Sequence, residues 1–149
     1  MRLFIIVNRS ILTKIHLYSC SFLLLFLMSL LHDFYSLVAF NANGPRVSAS
    51  ISLNSAHAVF QGHFPGNPVT PGVCMMQIIK ELTEKWAAGP LILKKARNVK
   101  FMAIINPNQH PNIQVELDVE EEDGLLSIKS ITSFGDTPAL KFSGVFQKV

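Results

Sequence analysis

The chain has 149 residues, 49% of them hydrophobic and 15% charged, which is the size of one ordinary domain with enough apolar side chain to bury a core. Its formal charge of +3 arises at the start: Arg2, Arg9 and Lys14 are three of the 13 basic residues, and the rest of the chain balances its 10 acids. No basic patch interleaved with aromatics remains, which excludes nucleic acid as a partner, and two distant cysteines, Cys20 and Cys74, exclude a disulfide scaffold and fit a reducing compartment.

Residues 1–27 form an apolar extension in front of a single domain over 28–149. Three cations precede FLLLFLMSLL at 22–31, a run broken only by Ser29. Three readings fit it: a mis-set upstream frame with translation starting at Met28, a signal peptide, or a membrane anchor over residues 16–31. No small-x-small cleavage site follows the run, and the expectation is a cytoplasmic protein.

Beyond it the chain reads as α+β. YSLVAF at 35–40 is rich in β-formers, and VSASISL alternates Val47, Ala49, Ile51 and Leu53 with serines, the period of a strand with one buried face. Asn43-Gly44 between them predicts a hairpin. VCMMQIIKELTEKW at 73–86 has helix formers and neither Gly nor Pro, and Gly89-Pro90 predicts its stop. Its first half, Val73 to Ile79, is apolar on nearly every side, so a buried helix with only its end exposed is expected.

Strands follow. RNVKFMAII at 97–105 offers Val99, Phe101 and Ala103 on one face before Asn106-Pro107 breaks the run. NIQVELDVE alternates Ile113, Val115, Leu117 and Val119 with polar residues, Asp123-Gly124 turns the chain into LLSIKSITSF, and Gly135-Asp136 turns that into ALKFSGVFQ with Leu140, Phe142 and Phe146 in register. A hairpin, a long buried helix and three or more antiparallel strands predict a curved sheet wrapped around one central helix. The acids at 120–123 read as a solvated turn and not as a metal site.

The chemistry gathers in FQGHFPGNPVTPGVCMMQ at 60–77. His63 stands on a loop whose Pro68 and Pro71 fix φ and whose Gly66 and Gly72 permit close approaches. Pro71-Gly72 opens the helix, where backbone N–H groups lack partners and point outward with the positive end of the dipole. One such N–H can polarise a carbonyl oxygen while a histidine nearby removes a proton from the adjacent carbon. Beside His63 and along the first helical turn, Phe64, Pro71, Val73 and Met76 are the substrate-binding candidates; Met75 and Phe101 are further candidates for an apolar tunnel and are equally plausible as core. His57 on the same loop reads as a structural hydrogen bonder, His110 in NPNQHPN as solvated, and His32 follows the apolar run. None has metal-ligand spacing.

GHFPGNPVTPGV closely resembles the signature of the 3-hydroxyacyl-acyl-carrier-protein dehydratases of the hot-dog fold, and the element order from about Leu30 to Val149 agrees. The resemblance implies that His63 is the catalytic base and that the Gly72 N–H binds the thioester carbonyl. It also implies a carboxylate fourteen residues after the histidine, on the helix of the partner subunit, and therefore a homodimer with sites at its interface. The implied partner is acyl carrier protein bearing the acyl thioester, with no metal or organic cofactor. Here the chain departs from the pattern, because that residue is Gln77, which can orient a hydroxyl or water but cannot carry a proton. Three outcomes stay open: His63 makes both proton transfers with Gln77 as a positioning group, Glu81 one turn further substitutes for the carboxylate, or a second hot-dog subunit completes a heterodimer. Glu81 itself reads as a surface carboxylate. The expected reaction is reversible dehydration of a 3-hydroxyacyl thioester to the trans-2-enoyl product in fatty-acid or related lipid or polyene assembly. A hot-dog thioesterase and a catalytically weak acyl-binding subunit are the alternatives.

Overall fold

The structure, a computed structural model, describes residues 33–149, so the apolar extension at 1–27 lies outside the described residues. Two strands come first, β1 (Tyr35–Asn43) and β2 (Arg46–Leu53), then a one-turn α1 (Val59–Gly62) and the long α2 (Gly72–Ala87). Four strands complete the chain: β3 (Leu91–Phe101), β4 (Asn112–Glu122), β5 (Leu125–Phe134) and β6 (Thr137–Lys148). All six pair antiparallel in the order β1-β2-β4-β5-β6-β3, a curved sheet against which α2 packs: the hot-dog fold.

Alternation in the sequence becomes the two faces of this sheet. Val47, Ala49, Ile51 and Leu53 of β2 and Ile113, Val115, Leu117 and Val119 of β4 are all buried, joined by Leu126 and Ile128 of β5 and Leu140, Phe142 and Phe146 of β6. Against them α2 sets Cys74, Met75, Ile78, Ile79, Leu82 and Thr83. β2 and β4 therefore give one apolar face to the core and one polar face to water. Glu120, Glu121, Glu122 and Asp123 are exposed.

Several expectations are corrected. The hairpin corner is Gly44-Pro45, with Asn43 paired to Arg46, because Gly44 takes the left-handed φ of 58° and Pro45 follows at a position that tolerates its ring. The left-handed residue that ends α2 is Ala88 at φ 52°, one before the expected Gly89. The helix is buried on one face only: Val73 is 64% exposed, and Met76 and Gln77 are half-buried.

The third strand differs most. It begins at Leu91, six residues before the expected Arg97, and forms the sheet edge beside β6. Register shifts between Leu93 and Lys95 and between Ala96 and Asn98 leave Lys94 and Arg97 as extra residues, two bulges that bend the edge. Gly144 of β6 accommodates them, since a Cβ there would stand 2.8 Å from the Lys95 carbonyl oxygen. Val99 and Phe101 pair with Phe142 and Leu140 without a shift between them and so share a face, but at the sheet edge that face is only partly covered: Val99 is half-buried, Phe101 is 49% exposed, and Ala103, half-buried, lies beyond the end of the strand.

Candidate active site

The loop between α1 and α2 is held from two sides. The Val69 N–H donates to the His63 carbonyl at 2.8 Å, and the Thr70 N–H donates to the Ile105 carbonyl at 2.9 Å. Asn106 Nδ2 reaches Asn67 Oδ1 at 3.2 Å, tying the loop again to the segment after β3. With Pro68 and Pro71 fixing two φ angles, the loop has little freedom left around His63.

His63 Nδ1 lies 2.9 Å from the Val69 carbonyl oxygen. A carbonyl oxygen only accepts, so the ring donates through Nδ1–H and the proton-free nitrogen is Nε2. This is the tautomer a base needs, oriented by a main-chain group. The Phe64 ring stacks on the imidazole with centroids 4.3 Å apart and is itself 55% exposed.

At the head of α2, Pro71 is the residue before the first turn, and its carbonyl accepts from the Cys74 and Met75 N–H groups at 3.0 and 3.3 Å. That leaves the Gly72 and Val73 N–H groups at the positive end of the helix without intrahelical partners. A Cβ on Gly72 would lie 2.3 Å from Phe101 Cζ and 2.7 Å from its Cε1, so any side chain here would force the Phe101 ring to move. Phe101 thus acts as a half-open wall over the helix start.

Gln77, one turn on, donates from Nε2 to Glu81 Oε1 at 3.0 Å. Glu81 is not the free surface carboxylate expected from its neighbours in sequence: it is half-buried, and its Oε2 accepts the Tyr35 hydroxyl at 2.6 Å. Burial first, and then the Glu81 carboxylate, push the Tyr35 phenol well above its ordinary range. Among the described residues no hydrogen bond or ring contact joins His63 to Gln77; each is held by its own set of neighbours.

The other candidates fall into place around these. Val73 and Phe64 are exposed, and Pro71 and Met76 are half-buried. Met75 is 2% exposed and belongs to the core. His57 has the structural part expected: its Nδ1 accepts from the Val59 N–H at 3.1 Å and its ring meets the edge of Phe34. His110 is half-buried and stacks on Phe134 with centroids 4.1 Å apart, so it is not simply solvated. Burial pushes the Cys74 thiol up to about 11, as for a core thiol. His32 lies outside the described residues. A cavity of about 490 Å³ opens beside the loop, lined by His57, Phe60, Gln61, Phe64, Pro65 and Pro68 among others. No helix of the described residues is long and apolar enough to cross a membrane.

Sequence reasoning missed Tyr35 altogether and undervalued Glu81. Nothing in YSLVAF marks its tyrosine, and the pair meets only through the fold, across 46 positions.

Comparison with known proteins adds three findings. The family model described as ApeI-like, ApeI dehydratase, matches residues 40–136. Two similar curated proteins are named 3-hydroxyacyl-acyl-carrier-protein dehydratase FabZ: that of Lactiplantibacillus plantarum is 28% identical over 100 residues, covering 62% of this chain and 66% of the relative, and that of Levilactobacillus brevis is 25% identical over 103 residues, covering 64% and 69%. The chain therefore spans about two thirds of the length of these relatives. Among solved structures, the dehydratase heterocomplex ApeI:P from Xenorhabdus doucetiae superposes with a TM-score of 0.63 at 17% identity, over 76% of this chain and 97% of that one. The HP0420 homologue from Helicobacter felis does so with 0.59 at 8% identity, over 80% and 91%.

Proposed function

This chain belongs to the ApeI-like dehydratase family, and from that premise we propose that it is a hydro-lyase acting reversibly on a 3-hydroxyacyl thioester carried by acyl carrier protein. The substrate carbonyl accepts from the Gly72 N–H at the head of α2, which draws charge onto oxygen and acidifies C2. His63 Nε2 takes the C2 proton. The resulting imidazolium gives that proton to the 3-hydroxyl, the C3–O bond breaks, and water leaves as the C2–C3 double bond of the enoyl product forms. Gln77 holds the hydroxyl but moves no proton. One base thus serves both transfers on one face of the substrate.

The observation that carries this reading is the bond from His63 Nδ1 to Val69, which leaves Nε2 as the free base. The engagement of Glu81 by Tyr35 and Gln77 disfavours the thioesterase alternative, because that carboxylate is already occupied and is a poor choice to activate a water. A dimer belongs to the same proposal. β3 ends the sheet with an unpaired edge and exposes Ile92 and Leu93, a surface suited to a second hot-dog subunit that brings its own α2 and Gln77 to the site. A homodimer is the simplest assembly, and a different hot-dog chain in that place gives a heterodimer. The protein is proposed to work in the cytoplasm, with acyl chains lying along Phe64, Pro71, Val73 and Met76.

The test is hydration of a short trans-2-enoyl thioester, followed by loss of enoyl absorbance. The full chain is expected to be active and His63→Ala to lose on the order of 10²- to 10⁴-fold. Equal rates in the two would reject His63 as the base, and release of free thiol would replace the dehydratase with a thioesterase.

A further inference from the structure

An amide in an active site can face its substrate with either end, and the two ends have opposite hydrogen-bonding character. In this chain the choice is made by neighbours. Carboxylate oxygens accept, so the group that Gln77 turns toward Glu81 at 3.0 Å is its Nε2. Its Oε1 has no hydrogen-bond partner among the described residues. Glu81 and Gln77 lie one helical turn apart, and a pair of that kind on an open helix is a weak constraint. Here a third group strengthens it: Tyr35 on the edge strand β1 donates to the other Glu81 oxygen at 2.6 Å. Since burial and the carboxylate keep the phenol protonated, Tyr35 is a standing donor. All three side chains are half-buried, which shields the pair of bonds from water.

From this geometry we infer that Glu81 and Tyr35 are positioning residues which fix the Gln77 amide so that it offers an acceptor, Oε1, to the substrate hydroxyl. The inference rests on the dehydratase reading above and deepens it. With the hydroxyl hydrogen given to Oε1, the hydroxyl oxygen keeps a defined lone-pair direction for the proton returning from His63. A Gln77 amide released from Glu81 samples both ends, and the hydroxyl loses that orientation. Glu81 in this arrangement touches no reacting atom. It explains how a site with glutamine at the usual carboxylate position keeps a carboxylate close by without using it as an acid.

The inference is tested on the full chain by enoyl thioester hydration with Glu81→Ala, Gln77→Ala, the double variant and Tyr35→Phe. Loss of one positioning hydrogen bond predicts about a tenfold fall in kcat for Glu81→Ala, with KM changed less than about twofold. In the Gln77→Ala background the same substitution is expected to cost nothing more, Tyr35→Phe to give a smaller loss of the same kind, and Glu81→Gln, which keeps an acceptor for Nε2, to recover most of the rate. An equal loss from Glu81→Ala in both backgrounds, or no loss in either, overturns the inference. A second readout is independent of activity: the side-chain amide signals of Gln77, assigned by their absence in Gln77→Ala, are expected to shift in Glu81→Ala. Unshifted signals overturn the inference even where rates fall. A wild-type chain that hydrates nothing overturns the dehydratase reading and with it the role at the hydroxyl, and the amide signals separate that failure from a failure of the hydrogen bonds.

Discussion

Gly72 is the position where packing and proposed chemistry depend on the same atom, so Gly72→Ala is the most informative single change. An added Cβ would meet Phe101 Cζ at 2.3 Å, against a comfortable carbon–carbon separation of about 3.5 Å, so one side must yield by roughly 1.2 Å. The obstacle is the far end of a half-exposed side chain, and the ring can swing away. Stability should therefore change by less than about 1 kcal/mol, because the gain of replacing a helical glycine, about 0.5–1 kcal/mol, offsets the lost ring contact. In a chain of this size that is a shift in Tm of a few degrees at most. Activity should respond far more: Phe101 covers the helix start, and a displacement of about 1 Å at a reacting centre can cost on the order of 100-fold, or about 2.7 kcal/mol of barrier. The assay is kcat/KM for enoyl thioester hydration alongside a thermal melt, for Gly72→Ala and for Gly72→Ala with Phe101→Leu, whose shorter side chain leaves room for the methyl group. The double variant should recover much of the lost rate. Full activity in Gly72→Ala alone would refute both the clash and the placement of the carbonyl at this helix start, and a large fall in Tm unrelieved by Phe101→Leu would refute the reasoning about which side yields.

Two further outcomes are expected. Ala88 holds the left-handed φ of 52° that closes α2, so Ala88→Gly should raise stability by about 0.5–1 kcal/mol, read as a small increase in Tm; a decrease would mean that the Ala88 methyl makes a contact worth more than its backbone strain. The Cys74 thiol is raised from 9.0 to about 11 by burial, so the folded state favours its neutral form: this contribution is complete below about pH 9 and is lost as pH rises through 11. Thiol reagents at pH 8 should label Cys74 only at the rate of unfolding, and the stability of Cys74→Val should fall less steeply than wild type between pH 9 and 11. Identical slopes would refute the assignment.

The parts of this molecule legible in its sequence are those that local pattern decides. β4 was readable because four apolar residues alternate with four polar ones over a strand buried on one side, and the His63 loop because proline and glycine set its backbone whatever surrounds it. β3 was not, for a physical reason. It is an edge strand with two bulges, and Lys94 and Arg97 interrupt the period by which a strand is recognised. The stack of His110 on Phe134 and the bond from Tyr35 to Glu81 belong to the same class, since both depend on which segments the sheet order brings together. The catalytic candidates on one loop and one helical turn were therefore visible, whereas the groups that orient Gln77 were not.

The open face of α2 connects these observations. Apolar residues on nearly every side of Val73 to Ile79 predict a buried helix with only its end exposed, yet the sheet of one chain covers only the face carrying Cys74, Met75, Ile78, Ile79 and Leu82. The uncovered face is graded: Val73 and Met76 lie nearest the helix start, then Gln77, then Glu81. An apolar residue left 64% exposed at the positive end of a helix gains nothing there in an isolated subunit. It gains if something apolar lies against it while an oxygen faces the free N–H groups beside it, and an acyl thioester has both parts in that order. On the proposed reading, the burial that the sequence pattern overestimates within one chain is burial that substrate and a second subunit would complete.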